Sequence, residues 1–143
     1  MAFNKILITG ANGFIGSRCV AFAQSNHLPY RCVSRVELND SNSIKFDLGN
    51  ECIEKLKLDD IETIIHTVGI AHDSSKPSNE KTNLYKKINV NLALNLAKQA
   101  IKCGVKNFIH ISSIKASGEP QNGMCHTESF VGSFNNIYGE TKR

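Results

Sequence analysis

Gly10-Ala-Asn-Gly13-Phe-Ile-Gly16 sets three glycines three residues apart near the start of the chain. Glycine is needed where a chain turns sharply, and where its backbone must approach a pyrophosphate with no β-carbon in the way. A helix that opens on such a turn offers unpaired N–H groups and a positive dipole end to phosphate. The spacing is G-x-x-G-x-x-G, not the G-x-G-x-x-G of the usual dinucleotide fingerprint. Its context carries the meaning: an apolar strand precedes it and a helical pattern follows. The reading is a dinucleotide site on Gly10, Asn12, Gly13, Phe14, Ile15 and Gly16, weighed against a merely structural turn. At the end of the second strand, where an NAD site usually carries an acid for the ribose, stand Ser34 and Arg35. A hydroxyl and a guanidinium suit a 2′-phosphate better than a bare ribose, so NADP is favoured over NAD. Glu37 and Asp40 lie near enough in sequence to reverse that preference, and Arg35 also reads as a solvated strand end.

A second constellation lies toward the C-terminus. Ile111-Ser112-Ser113 ends an apolar run, and Tyr138-Gly-Glu-Thr-Lys142 follows. Ligands bind at the carboxyl ends of strands in open parallel sheets. Tyr138 and Lys142 are four residues apart, so they share one helix face. An ammonium beside a phenol favours the phenolate, and such a phenol can exchange a proton with a carbinol while hydride moves to a nicotinamide. A serine hydroxyl on the same oxygen would orient it. His66, His72, His110 and His126 show no metal-ligand spacing and read as packed or solvated side chains. Cys125-His126 lacks the surroundings of a nucleophile and base.

The elements that must position these groups alternate in type. Lys5–Thr9 reads as a buried strand. Ile15, Cys19, Phe22 and Ala23 mark the buried face of a helix. Strands follow over 29–34, 43–46 and 63–66, with a small helix after Asn50 carrying Ile53 and Leu56. The polar stretch 71–83, with Pro77, reads as a loop. Leu84, Ile88, Leu92, Leu96, Ala100 and Cys103 outline one long amphipathic helix capped by Gly104. A fifth strand covers 107–112, a loop 118–134, and a last helix begins near Asn136. Strands separated by such helices pair in parallel through right-handed crossovers. The fold class is an open, doubly wound α/β sheet of about five strands.

Composition agrees with a globular chain. Of 143 residues, 41% are hydrophobic and 21% charged, which excludes disordered and fibrous classes. No apolar run approaches the roughly 18–20 residues of a membrane span, and the N-terminus does not read as a signal peptide. The net charge of +4 comes from scattered lysines interleaved with acids, so a nucleic-acid surface is not expected. Five widely spaced cysteines without C-x-x-C read as reduced thiols in a cytoplasmic protein. Cys19, Cys32 and Cys103 fall at core positions.

With these residues in view, the chain resembles the extended short-chain dehydrogenase/reductases, in the nucleotide-sugar epimerase/dehydratase group that includes UDP-glucose 4-epimerase. The likeness covers the whole chain. It rests on 8–16, Phe46-Asp-Leu48, Ile65-His-Thr-Val-Gly69, Ile88-Asn-Val90, 108–119 and Tyr138-Gly-Glu-Thr-Lys142. The interval from Ser113 to Tyr138 also matches. The resemblance implies a Rossmann-type domain with Ser113, Tyr138 and Lys142 as catalytic residues. It implies pyrophosphate on Gly10, Gly13 and Gly16, the adenine edge on Asp47 and Leu48, and the middle of the cofactor on Val68, Gly69 and Ile70. Asn89 matches an asparagine that supports the site. The stretch Ser113-Ile-Lys-x-x-Gly-Glu119 is similar to members acting in surface-polysaccharide synthesis.

Two features depart from that group. Ser34 stands where NAD-bound epimerases carry an acid, and the chain stops at Arg143, one residue past Lys142. The expectation is therefore the dinucleotide-binding N-terminal part of such an enzyme, without its substrate domain. The partners expected are the dinucleotide and a nucleotide-sugar. A non-catalytic NAD(P)-binding module, inert by itself, is the alternative, since the last helix is too short to hold itself and strand five at a sheet edge invites self-association. A third reading is a small complete reductase with its pocket built from the 71–83 and 118–134 loops.

Overall fold

The computed structural model describes residues 5–71, 78–120, 125–134 and 136–143. In chain order the elements are β1 (Lys5–Thr9), α1 (Phe14–Ser25), β2 (Tyr30–Ser34), β3 (Ser43–Lys45), a 3-10 turn (Ile53–Lys55), β4 (Ile61–His66) and α2 (Asn79–Tyr85). A π-helical segment (Lys86–Asn91), α3 (Leu92–Lys102), β5 (Asn107–His110), a second 3-10 turn (Ile114–Ser117) and α4 (Ile137–Lys142) complete it. They form two compact units, Met1–Val68 with Leu92–Ile111 and Gly69–Asn91 with Ser112–Arg143.

The first unit holds a five-stranded parallel sheet in the order β3-β2-β1-β4-β5. This is the doubly wound α/β architecture expected from the alternation of elements. The strand order reverses beside β1, which places the ends of β1 and β4 at the switch point where such sheets bind ligands. Successive side chains of β1 face opposite ways. Ile8 belongs to a cluster with Ala11, Ala23, Tyr30 and Cys32, on which Cys19, Val20, Leu38 and Ile65 pack. Leu7 points to the other face and is fully buried, as is its register partner Ile64. Leu96, also fully buried, belongs to α3, which packs on β5. Each such side chain contributes roughly 1.5–3 kcal/mol through burial. Gly104, at φ +74°, ends α3 as expected, with Val105 N–H returning to the Ala100 carbonyl at 3.0 Å.

Several boundaries differ from the sequence expectation. Phe22 is not on the buried face of α1; it is 63% exposed. The buried positions are Gly16 and Ala23, flanked by Cys19 and Val20, because close backbone approach at Gly16 selects a face of small residues. The short helix after Asn50 is a 3-10 turn with Cys52 at its cap position, while Asn50 Nδ2 donates to Asp47 Oδ2 at 2.9 Å.

The second unit brings a larger correction. The stretch expected to be loop over 71–83 becomes helix at Asn79, capped by Ser78, whose hydroxyl accepts the Lys81 N–H at 3.1 Å. Residues 79–83 are polar and mostly exposed, so no apolar period announces them. Positions 72–77, including His72, lie outside the described residues. The π segment then resets the helical register. Leu84 is 50% exposed, and Tyr85 and Asn89 are buried instead.

All five cysteines are free thiols. Burial, and then the nearby Asp40 charge, push the Cys32 thiol up to about 11. Native protein should therefore react with a disulfide reagent at the exposed Cys52 and Cys125, while Cys32 reacts only after unfolding; mass mapping of modified peptides reads this directly.

Candidate active site

The turn from β1 into α1 leaves no room for a side chain at Gly10 or Gly16. Gly10 sits at φ +71°, where a β-carbon would also stand 2.8 Å from Thr67 Oγ1. A β-carbon on Gly16 would overlap the Gly10 carbonyl oxygen. Gly13 N–H closes the turn on that same carbonyl at 2.9 Å. Gly13 is the cap residue of α1, and neither a side-chain cap nor an acid in the first turn satisfies the helix start. Its N–H groups and dipole are thus left for an external anion. Asn12, Phe14 and Ile15 are exposed around this start. Thr67 Oγ1 donates to the Thr9 carbonyl at 2.7 Å, which joins the ends of β4 and β1 beside Gly10. A cradle that a β-carbon would fill, at an uncapped helix start, fits a dinucleotide pyrophosphate.

At the end of β2, Ser34 is buried and its hydroxyl accepts the Val36 N–H at 3.1 Å, so it shapes the turn. Arg35 and Glu37 are exposed. Asp40 is engaged elsewhere: its Oδ2 accepts from Tyr30 Oη at 2.6 Å and Gln24 Nε2 at 3.2 Å, and its Oδ1 accepts the Asn42 N–H at 2.8 Å. Burial disfavours its charge, but these hydrogen bonds prevail and hold the carboxyl below its ordinary range. Asp40 therefore anchors the loop after β2. Asp47 likewise folds its own turn, with Oδ1 accepting the Gly49 N–H at 3.0 Å; Leu48 beside it is buried. Val68 closes the unit, its side chain 3.2 Å from the place of a Gly10 β-carbon.

The second unit gathers the other expected residues. Asn89 is 2% exposed and grips the main chain of Ile70: its Oδ1 accepts the Ile70 N–H at 2.8 Å and its Nδ2 donates to the Ile70 carbonyl at 3.1 Å. A β-carbon on Gly69 would stand 3.3 Å from Asn89 Oδ1 and 3.6 Å from Lys142 Nζ, so the ammonium lies over the open face of Gly69. Lys142 is only 7% exposed, and burial holds its pKa below the usual lysine range. Tyr138, partly buried, precedes it by one turn of α4. The helix is capped by Asn136, whose Oδ1 accepts the Gly139 N–H at 2.8 Å.

The two adjacent serines separate by role. Ser112 Oγ donates to the Lys142 carbonyl at 2.8 Å and anchors the end of α4. Ser113 Oγ accepts the Lys115 N–H at 3.2 Å, which leaves its proton for a ligand. Ser113 and Lys142 line one cleft of about 510 Å³, together with Ser117, His126, Thr127 and Glu128.

Sequence reading missed Thr9, whose hydroxyl meets His66 Nδ1 at 2.8 Å, and Thr141, whose hydroxyl accepts from Asn89 Nδ2 at 3.0 Å. Single hydroxyls in a strand and a helix carry no local pattern that would mark them. His66 stacks on His110 with ring centroids 5.6 Å apart, and His126 Nδ1 meets Ser117 Oγ at 2.8 Å. Among the described residues, no group of three or more His, Cys, Asp or Glu could hold a metal ion. No helix among them is long and apolar enough to cross a membrane.

The profile of the NAD dependent epimerase/dehydratase family matches residues 6–143. The chain belongs to this family. UDP-glucose 4-epimerase of Vibrio cholerae is 35% identical over 119 residues, covering 80% of this chain and 36% of that protein. UDP-glucose 4-epimerase 2 of Oryza sativa subsp. japonica is 30% identical, covering 96% of this chain and 38% of that protein. Among solved structures, MoeE5 in complex with UDP-glucuronic acid and NAD superposes with a TM-score of 0.82 at 27% identity, covering 97% of this chain and 46% of that one. This epimerase/dehydratase chain thus spans between a third and a half of the length of these relatives.

The Asp40 anchor has a pH signature. A carboxyl held below its ordinary pKa contributes stability that is present above the ordinary carboxylate range and lost as pH falls through the lowered value. Asp40→Asn should cost about 1–2 kcal/mol in urea unfolding at pH 7, and the difference from wild type should shrink as the carboxylate titrates in acid.

Proposed function

We propose that this chain carries the dinucleotide site and the acid–base residues of a nucleotide-sugar epimerase or dehydratase that works by reversible hydride transfer. One observation supports the reading above others: Lys142, a lysine nine-tenths buried, is held one helical turn from Tyr138 on a helix that Ser112 and Asn136 pin in place. Burying a cation is costly, and groups with perturbed titration cluster where chemistry is done.

Gly10, Gly13 and Gly16 would hold the pyrophosphate against the start of α1. Asp47 and Leu48 would border the adenine, and Val68, Gly69 and Ile70 the middle of the cofactor, with Asn89 fixing Ile70. Bound NAD or NADP supplies a reversible hydride acceptor. Ser113 donates its proton to the sugar oxygen and orients it. Tyr138 takes the carbinol proton as the C–H bond breaks and returns it in the reverse direction. Lys142 would hold its ammonium over Gly69, one helical turn from Tyr138. Arg35 supports NADP over NAD, because Asp40 is committed to Tyr30 and the exposed guanidinium remains for a 2′-phosphate. MoeE5 was solved with NAD.

Titration with NADH and NADPH, followed by nicotinamide fluorescence, tests the first step. Binding is expected, tighter for NADPH, and Arg35→Ala should weaken NADPH about 10–100-fold with little change for NADH. Binding of neither dinucleotide would sink the reading.

Reduction of bound NAD(P) by UDP-glucose or UDP-glucuronic acid, read at 340 nm, tests the second step. Tyr138→Phe should keep dinucleotide binding and slow that reduction by about 100-fold or more. Dinucleotide binding without any reduction by wild type would instead favour a binding module that is inert by itself.

A further inference from the structure

Thr141 has no part in the chemistry just described, yet it is 5% exposed and fully engaged. Its hydroxyl proton is directed at the carbonyls of Ile137 (2.8 Å) and Tyr138 (3.2 Å), one turn back on α4. That back-bonding is ordinary for a helical threonine. The other side of the same oxygen is not ordinary, because it accepts the Asn89 Nδ2 proton at 3.0 Å. Asn89 spends its second N–H and its carbonyl oxygen on Ile70, so both N–H groups and the oxygen of the amide are used. The amide stands in a π-helical segment, a distortion retained where a side chain must be placed off the regular register.

The consequence falls on Lys142. A six-residue helix cannot hold its own geometry. Ser112 fixes the Lys142 carbonyl and Asn136 fixes the helix start, but neither reaches the segment beneath the ammonium. Thr141, through Asn89, ties α4 to the same Gly69–Ile70 backbone over which Lys142 Nζ lies. We propose that Thr141 is a positioning residue that sets the placement of the Lys142 ammonium relative to Gly69 and Tyr138, acting through the Asn89 amide. Its importance for turnover rests on the function proposed above; the placement itself does not.

The test uses the 143-residue chain and three variants, Thr141→Val, Thr141→Ala and Thr141→Ser. The Lys142 side chain is titrated by carbon-13 NMR, assigned by its loss in Lys142→Arg, with folding checked by circular dichroism and NADH binding measured alongside. Thr141→Val and Thr141→Ala, which leave one Asn89 N–H without its acceptor, should fold and should move the Lys142 midpoint upward toward the ordinary lysine range. Thr141→Ser should restore the wild-type midpoint. A merely structural role would lower the melting temperature and leave the midpoint in place. An unmoved midpoint in both hydroxyl-free variants, an equal displacement in Thr141→Ser, or failure of both hydroxyl-free variants to fold would each overturn the proposal. A displaced midpoint in a chain that binds no NADH would uphold the positioning role and overturn the proposed function.

Discussion

The passage from β1 into α1 has no space for a β-carbon at Gly10 or at Gly16. Gly16 lies against the Gly10 carbonyl, and Gly10 lies against Thr67 at a positive φ. This one close approach has several consequences. It presses the small-residue face of α1 onto the sheet and leaves Phe22 outside. It aims an uncapped helix start at the switch point of the sheet, between the ends of β1 and β4. A turn of this kind would be an odd place to conserve space for stability alone, because it also strands N–H groups that a side-chain cap would satisfy. The proposed dinucleotide would supply an anion at that position.

The second unit meets a different constraint, a buried cation on a helix of six residues. Its solution is a set of side-chain hydrogen bonds, most of them to the backbone, rather than apolar area. Ser112 holds the end of α4, Asn136 holds its start, and Asn89 joins Thr141 to Ile70. Gly139 allows α4 to lie directly on the Lys115 carbonyl, where a β-carbon would stand 2.5 Å away. Groups fixed in this way would lose little freedom on binding a substrate, as the proposed proton transfer at a defined oxygen requires.

Much of this was legible along the chain. The strands, α1, the Gly104 cap and the short last helix follow from apolar periods and local cap residues, and the glycine turn and Tyr138–Lys142 pair from their spacing. Less was legible where distant partners decide. Asp40 was a candidate ribose acid until its bonds to Tyr30 and Gln24 were seen. Leu84 fits an ideal helical stripe, but the π segment turns Tyr85 inward instead. The helix from Asn79 escaped notice because its exposed polar residues have no period to read.

By itself, the sequence determined the doubly wound α/β class, the glycine turn between β1 and α1, and the serine, tyrosine and lysine proposed to exchange a proton. Those features depend on residue type and on spacings of a few residues, which secondary structure converts directly into geometry. Only the tertiary structure decided that Ser112 anchors while Ser113 keeps its proton, that Asp40 serves a loop, and that Lys142 is buried over Gly69. Those outcomes depend on hydrogen bonds and burial between residues far apart in the chain, and no local pattern encodes which of two equivalent hydroxyls or carboxylates will find a partner.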